Sequence, residues 1–212
     1  MRRKQIGFTL AEIAIVLVLF GLLMGGILKG QEMVTQARIK NIIADYTGIS
    51  AAYAGYQDRY RTVPGDDPRA AQRWTGATSG NGDGQVSGKY NSQNPADESR
   101  LWWAHLRRSG FVSGAGTLQP FNAVTGMIGL QTGDGASPSG PALGGFVSAI
   151  VCMASMPDKI AIAIDIQLDD GLPGTGTVRG QLQTGPNPDI GAIAASAYAE
   201  TAGNIYALCR AL

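Results

Sequence analysis

Few charges and few reactive side chains occur in this 212-residue sequence, and each scarcity removes a class of function. Only 16% of the residues are charged, and 17 basic against 16 acidic side chains leave a formal net charge of +1. A balance of that kind does not make the electrostatic footprint of a nucleic-acid or polyanion binder. There is a single histidine, His105, and no nucleophile or acid pair lies near it in the chain, so hydrolytic and general-base chemistry finds no obvious constellation. The two cysteines, Cys152 and Cys209, stand far apart without the close partners that zinc or redox motifs need. They read as one structural disulfide if the domain leaves the cytoplasm, with two buried free thiols as the competing reading. Aromatic residues make up only 7%, whereas 30 glycines and ten prolines give a chain of many turns. Hydrophobic residues at 44% are nevertheless enough for a packed core, and the length fits one domain plus an appendage.

What is abundant is concentrated at the start. Arg2, Arg3 and Lys4 precede Gly7 and Phe8, and from Ile13 to Leu28 no charged residue occurs. An apolar stretch over residues 8–28 is long enough to cross a bilayer, and the basic residues before it place that end on the cytoplasmic side. An ordinary secretory signal would end at a small-residue cleavage site, which Leu28-Lys29-Gly30-Gln31-Glu32 does not offer. A plain anchor leaves Glu12 unexplained. A carboxylate near the end of a membrane helix is costly and calls for a positively charged partner.

The run Lys4-Gln5-Ile6-Gly7-Phe8-Thr9-Leu10-Ala11-Glu12 resembles the cleavage and methylation motif of type IV prepilins and type II secretion pseudopilins. The resemblance implies a basic leader, residues 1–7, cut off between Gly7 and Phe8 by a prepilin peptidase that also methylates the new amine of Phe8. It implies that Glu12 pairs with the Phe8 ammonium of a neighbouring subunit, so that an unpaired subunit in the apolar interior is penalised. Ala11 stands where the family often has a bulkier aliphatic residue. The implied partners are the peptidase, other pilin or pseudopilin subunits, an inner-membrane assembly platform and the lipid bilayer; nucleic acid is not indicated. The implied location is the bacterial inner membrane, single-pass, N-terminus cytoplasmic before processing, with the mature head periplasmic or extracellular in a filament. No catalytic residue and no cofactor are expected.

The expected fold is α+β and pilin-like. A long helix over residues 8–58, about 75 Å at roughly 1.5 Å per residue, is transmembrane in its first half. It packs its second half on a small, loop-rich head, residues 59–212, with an antiparallel sheet. Met33, Ala37, Ile39, Ile43, Tyr46, Ile49, Ala52, Tyr53 and Tyr56 fit one apolar helical face. Gly21, Gly25, Gly26 and Gly30 weaken the helix middle, readable as close packing or as local melting; the proline that related pilins often carry there is absent.

Pro64-Gly65-Asp66-Asp67-Pro68 ends the helix, and Tyr60 to Pro68 resembles the segment after the helix in many prepilin-like proteins. Asp66 and Asp67 read as turn and cap residues before they read as paired catalytic acids. Gly80-Asn81-Gly82-Asp83-Gly84 has the alternating oxygens of a calcium loop, but Ser79 and Tyr90 occupy the positions where an EF-hand requires acids. Because some members of this broad family bind calcium, Asn81 and Asp83 are kept as a candidate metal site against the alternative of a polar turn. A short helix is expected from Asp97 to Ser109, capped by Asp97 and ended by Gly110, with Leu101, Trp102, His105 and Leu106 in the core. Met127 to Leu130 and Phe146 to Met153 read as strands. The stretch around Ile160 to Leu168 fits strand or helix; Pro157 before it and Gly171 after it favour a helix. Asp165, Asp169 and Asp170 fall close to its end. The position of Cys152 after an apolar run and of Cys209 near the end resembles the disulfide-closed terminal region of many pilins.

Three roles follow. The first is a structural or minor subunit of a type IV pilus or type II secretion pseudopilus, inserted through its N-terminal helix. The second is a filament-tip adhesin or DNA-capturing module, which exposed Trp102, Trp103, Arg107 and Arg108 would favour. The third is a membrane-tethered periplasmic enzyme, which lacks a visible catalytic set.

Overall fold

The structure is a computed structural model, and it describes residues 9–200 and 203–212. In chain order the elements are α1 (Leu10–Tyr60), α2 (Ala70–Arg73), α3 (Glu98–Arg108), β1 (Ile128–Thr132), β2 (Ala149–Pro157), α4 (Asp158–Leu168), β3 (Val178–Leu182) and β4 (Ile205–Ala211). The chain divides after Ala37 into two units.

The first unit is the N-terminal part of α1. Leucine, isoleucine, valine and alanine dominate it, proline is absent, and every side chain from Leu10 to Met33 is exposed. Its most apolar window has a mean hydropathy of 2.5, with none of it buried by protein. A helix apolar on all sides belongs in lipid or among other apolar helices. Gly21, Gly25, Gly26 and Gly30 all face open space. Met33, expected on the buried face, is 65% exposed.

The second unit starts where α1 becomes amphipathic. Ile39, Ile42, Tyr46, Ile49, Ala52 and Tyr56 are buried, at steps of three and four residues that put them on one face. Ile42 is in that face and Ile43 lies at its edge, one residue from the expected position. The helix runs to Tyr60, where Arg61 takes a left-handed backbone (φ 56°) and turns the chain.

The sheet is antiparallel throughout, in the order β1-β2-β4-β3. Its period-two alternation builds two cores. Ile128 and Leu130 of β1, Val151 and Met153 of β2, and Tyr206 and Leu208 of β4 join the buried face of α1, the α3 residues Trp102, Trp103 and Leu106, and Ile160 and Ile164 of α4. Residues of opposite parity, Ile150 and Cys152 with Ala207 and Cys209, pack on the other side with Tyr90, Leu143, Phe146 and Ile190. Tyr46 reaches across the first core and donates its hydroxyl to the Leu208 carbonyl at 2.9 Å. Cys152 and Cys209 are register partners and form a disulfide between adjacent strands. The 158–168 stretch is helical, and Gly171 beyond it has φ 79°. Strands β3 (Val178–Leu182) and β4 (Ile205–Ala211) had no expectation from the sequence.

The junction after α1 is closed by His105 on α3. Its Nδ1 accepts from the Gly65 N–H at 2.9 Å, so the ring proton sits on Nε2, 2.8 Å from the Thr78 carbonyl. Gly65 has φ 86°, and a side chain there would strike the backbone of α3. Asp97 precedes α3 as expected, but its carboxylate bonds Ser92 and Asn94 in place of the helix amides.

Two outcomes follow. Replacing both cysteines by serine should lower head stability by about 4 kcal/mol for a bridge separating 57 positions, read as a lower unfolding midpoint of the detergent-solubilised chain. Burial, assisted by Arg73 and Arg108, holds His105 below its usual value near 6.5. The neutral ring therefore binds fewer protons folded than unfolded, and its contribution is complete above about pH 6.5 and lost as pH falls through the depressed folded value. Thermal melts across that range should show an acid-side loss that His105→Gln flattens.

Candidate functional site

Two places in the chain carry the residues expected to act. At the N-terminus, Gly7 and Phe8, the expected cleavage and methylation positions, lie outside the described residues, as does the rest of the leader. Glu12 is described. Its Oε2 accepts from the Thr9 N–H at 2.8 Å and from the Thr9 hydroxyl at 2.9 Å, while the Glu12 N–H donates back to Thr9 Oγ at 3.2 Å. This reciprocal pair is a capping box, with Thr9 as the residue before α1 and Glu12 three positions later. It satisfies amides that the first helical turn leaves without partners and sets the carboxylate at the positive end of the helix dipole. Among the described residues, Oε1 of Glu12 has no partner, so one lobe of the carboxylate remains available to a cation. Thr9 was not singled out from the sequence, although the Thr-x-x-Glu spacing is a local signal that names it.

The second place is the turn after α1. Asp66, 2% exposed, accepts from the backbone N–H groups of Gly82 (2.5 Å), Asp83 (3.1 Å) and Gly84 (2.7 Å). Glu98 on α3 accepts from the Asn81 and Ser87 N–H groups, both at 2.9 Å. The glycine-rich loop is thus wound around two carboxylates that belong to the fold. Asn81 and Asp83 bond one another across the loop, Asn81 Nδ2 to Asp83 Oδ2 at 3.0 Å and the Asp83 N–H to Asn81 Oδ1 at 2.9 Å. One oxygen each from Asp66, Asp83 and Glu98 lies within 4.8 Å of the others. Burial raises the Asp66 pKa, against the lowering effect of the Gly84 and Gly82 amides. Most acceptor positions at Asp66 already serve amides, so the arrangement works as a loop clasp.

Asp67 is fully buried and is a second clasp. It accepts from the Tyr56 hydroxyl at 2.6 Å and from the Arg69 N–H at 2.8 Å, and it pairs with Arg73. Asp66 and Asp67 therefore point into different networks and do not form a catalytic dyad. Asp165, Asp169 and Asp170 also come together. Asp165 accepts from the Tyr198 hydroxyl at 2.5 Å and the Gly171 N–H at 3.1 Å, Asp169 from the Thr177 and Val178 N–H groups, and Asp170 from the Leu172 N–H and the Thr175 hydroxyl. Glu98 and Tyr198 were not identified from the sequence; they act across 17 and 33 positions, and no local pattern signals them.

The surface expected to favour adhesion or DNA capture is not present in that form. Trp102 and Trp103 are 0% and 1% exposed, packed edge to face in the first core. Arg107 lies over the Trp103 ring and donates to the Gly116 carbonyl, and Arg108 donates to the carbonyls of Thr75 and Gly76. Both arginines fasten loops to the end of α3.

Comparison with known proteins bears on the N-terminal segment. The family described as the prokaryotic N-terminal methylation motif matches residues 2–28. No curated protein matches the chain. The motif implies processing by a prepilin peptidase and assembly with other pilins. At residues 2–28, leading into the exposed apolar part of α1, this chain carries the N-terminal signal of the type IV prepilins and pseudopilins.

Proposed function

We propose that the chain is a structural or minor subunit of a type IV pilus or a type II secretion pseudopilus. In this reading the peptidase removes residues 1–7 and methylates Phe8, and the mature protein stays in the inner membrane by one helix until it enters a filament. The observation that carries the reading is the methylation motif at residues 2–28, which runs into an apolar helical stretch whose side chains from Leu10 to Met33 no part of the described chain covers.

The chemistry of assembly falls to Glu12 and Phe8. In a lone subunit the capping box supplies two hydrogen bonds to the Glu12 carboxylate and lowers the cost of holding it at the membrane edge. In a filament the open Oε1 would meet the Phe8 ammonium of a neighbour, and the low dielectric among packed helices would strengthen that pair. The head needs no chemical step for this role; its acids and its histidine hold loops in place.

Intact-mass measurement and N-terminal sequencing of the protein from native membranes and sheared filaments should give a chain that begins at N-methylated Phe8. A chain beginning at Met1, or cut beyond Leu28, would return the protein to the class of simple anchors or secreted domains. Glu12→Val should leave membrane insertion and cleavage near normal while cutting recovery in sheared filaments by roughly tenfold or more, the scale expected for one lost buried charge pair. Normal recovery of that variant would remove the charge-pair mechanism.

A further inference from the structure

The flank of α1 beside its buried face carries an acid with no counterpart. Asp45 is half-buried in a groove of about 350 Å³ whose walls include Gly48, Trp103, Phe111, Pro120 and Phe121. Phe121 is 63% exposed, and Gly48 has open space where a side chain would stand, so the groove is apolar and accessible. Among the described residues Asp45 has neither an ion-pair nor a hydrogen-bond partner. Its surroundings push its pKa up through burial alone. A carboxylate kept unpaired against apolar walls is unfavourable in the isolated chain, and a cation arriving from outside reverses that.

The same helix supplies a fitting cation. Arg38 is exposed and, among the described residues, also unpaired. It lies seven positions before Asp45, close to two helical turns, so both groups are on one face of α1. Lys40, the other exposed cation nearby, is five positions away and points well off that face. Val34, 52% exposed, stands one turn before Arg38 and gives the cation an apolar companion suited to the groove. A guanidinium is also more weakly hydrated than an ammonium and is the better ion to bury against aromatic walls.

We propose that the Asp45 groove receives the α1 segment Val34–Arg38 of a second copy of this chain, with Arg38 of that copy paired to Asp45. Each copy then offers Asp45 to one neighbour and Arg38 to another. With the copies running parallel, as the filament reading requires, the contact is staggered by two helical turns and repeats along an open polymer. The proposal rests on the filament reading above and specifies one of its contacts.

The test uses full-length chain expressed in cells that assemble the filament. Recovery of Arg38→Asp and of Asp45→Arg in sheared filaments should each fall roughly tenfold or more, because like charges meet across the contact, and the double variant should recover to near the unaltered level. Oxidation of Cys152–Cys209 in each variant reports that the head has folded. Independently, copies bearing Arg38→Cys and copies bearing Asp45→Cys, expressed together, should give a crosslinked dimer with a short thiol-reactive linker that neither gives alone. That crosslink sustains the contact even where a reversal variant is poorly exported. Undiminished single reversals, or no crosslink in assembled filaments, overturn the pair and leave the filament reading standing. Absence of the unaltered chain from filaments would remove both.

Discussion

The head is organised by the apolar stripe that α1 presents from Ile39 to Tyr56. A helix this long cannot bury its own side chains, and an antiparallel sheet of four short strands exposes an apolar face of its own; each covers the other. Tyr46 adds direction to that burial, because its hydroxyl must find an acceptor within the core and finds it on β4 at Leu208. Tyr56 does the same at the far end through Asp67. With the stripe held at Tyr46 to β4 and at Tyr56 to the turn after the helix, the helix cannot rotate or slide without losing these buried hydrogen bonds. The turn after the helix, the glycine loop and α3 are then assembled against a fixed reference.

A second regularity concerns the acids. Asp66, Asp67, Glu98, Asp165 and Asp169 are all drawn inward or laid along loops, and most of their partners are backbone amides. A chain with so many glycine-rich turns leaves numerous N–H groups outside helices and strands, and each needs an acceptor. Carboxylates satisfy several at once. The acid clusters thus have a prior occupation, because the protein's own amides already fill many of their acceptor positions.

The legible part of the sequence was the part governed by local pattern. The N-terminal helix, its change from uniformly apolar to amphipathic, the helix following Pro157 and the turn at Pro64 all follow from composition and spacing over a few residues. The prepilin-type motif was equally local. Strands β3 and β4 were not read from the sequence: β3 is a five-residue alternation with a glycine at its centre, and β4 is a short apolar run buried on both faces, whose periodicity alone does not distinguish strand from helix. Met33 misled because it does not share the buried face: it stands nine positions before Ile42, about half a turn round the helix from the stripe. Trp102 and Trp103 could have been surface or core on sequence grounds, and α3 packing on β1 decides for core. The clasp of Glu98 on the 81–87 loop depends on tertiary proximity alone.

The bond between Cys152 and Cys209 has a mechanical meaning. Tension drawn along α1 enters the head where Tyr46 and its neighbours grip β4, so β4 is the strand that takes the load. Hydrogen bonds alone, to β2 on one side and β3 on the other, would leave β4 without a covalent hold in the sheet. Here β4 is riveted to the central strand β2 in the middle of their shared ladder, and the pull is distributed over the sheet as a whole.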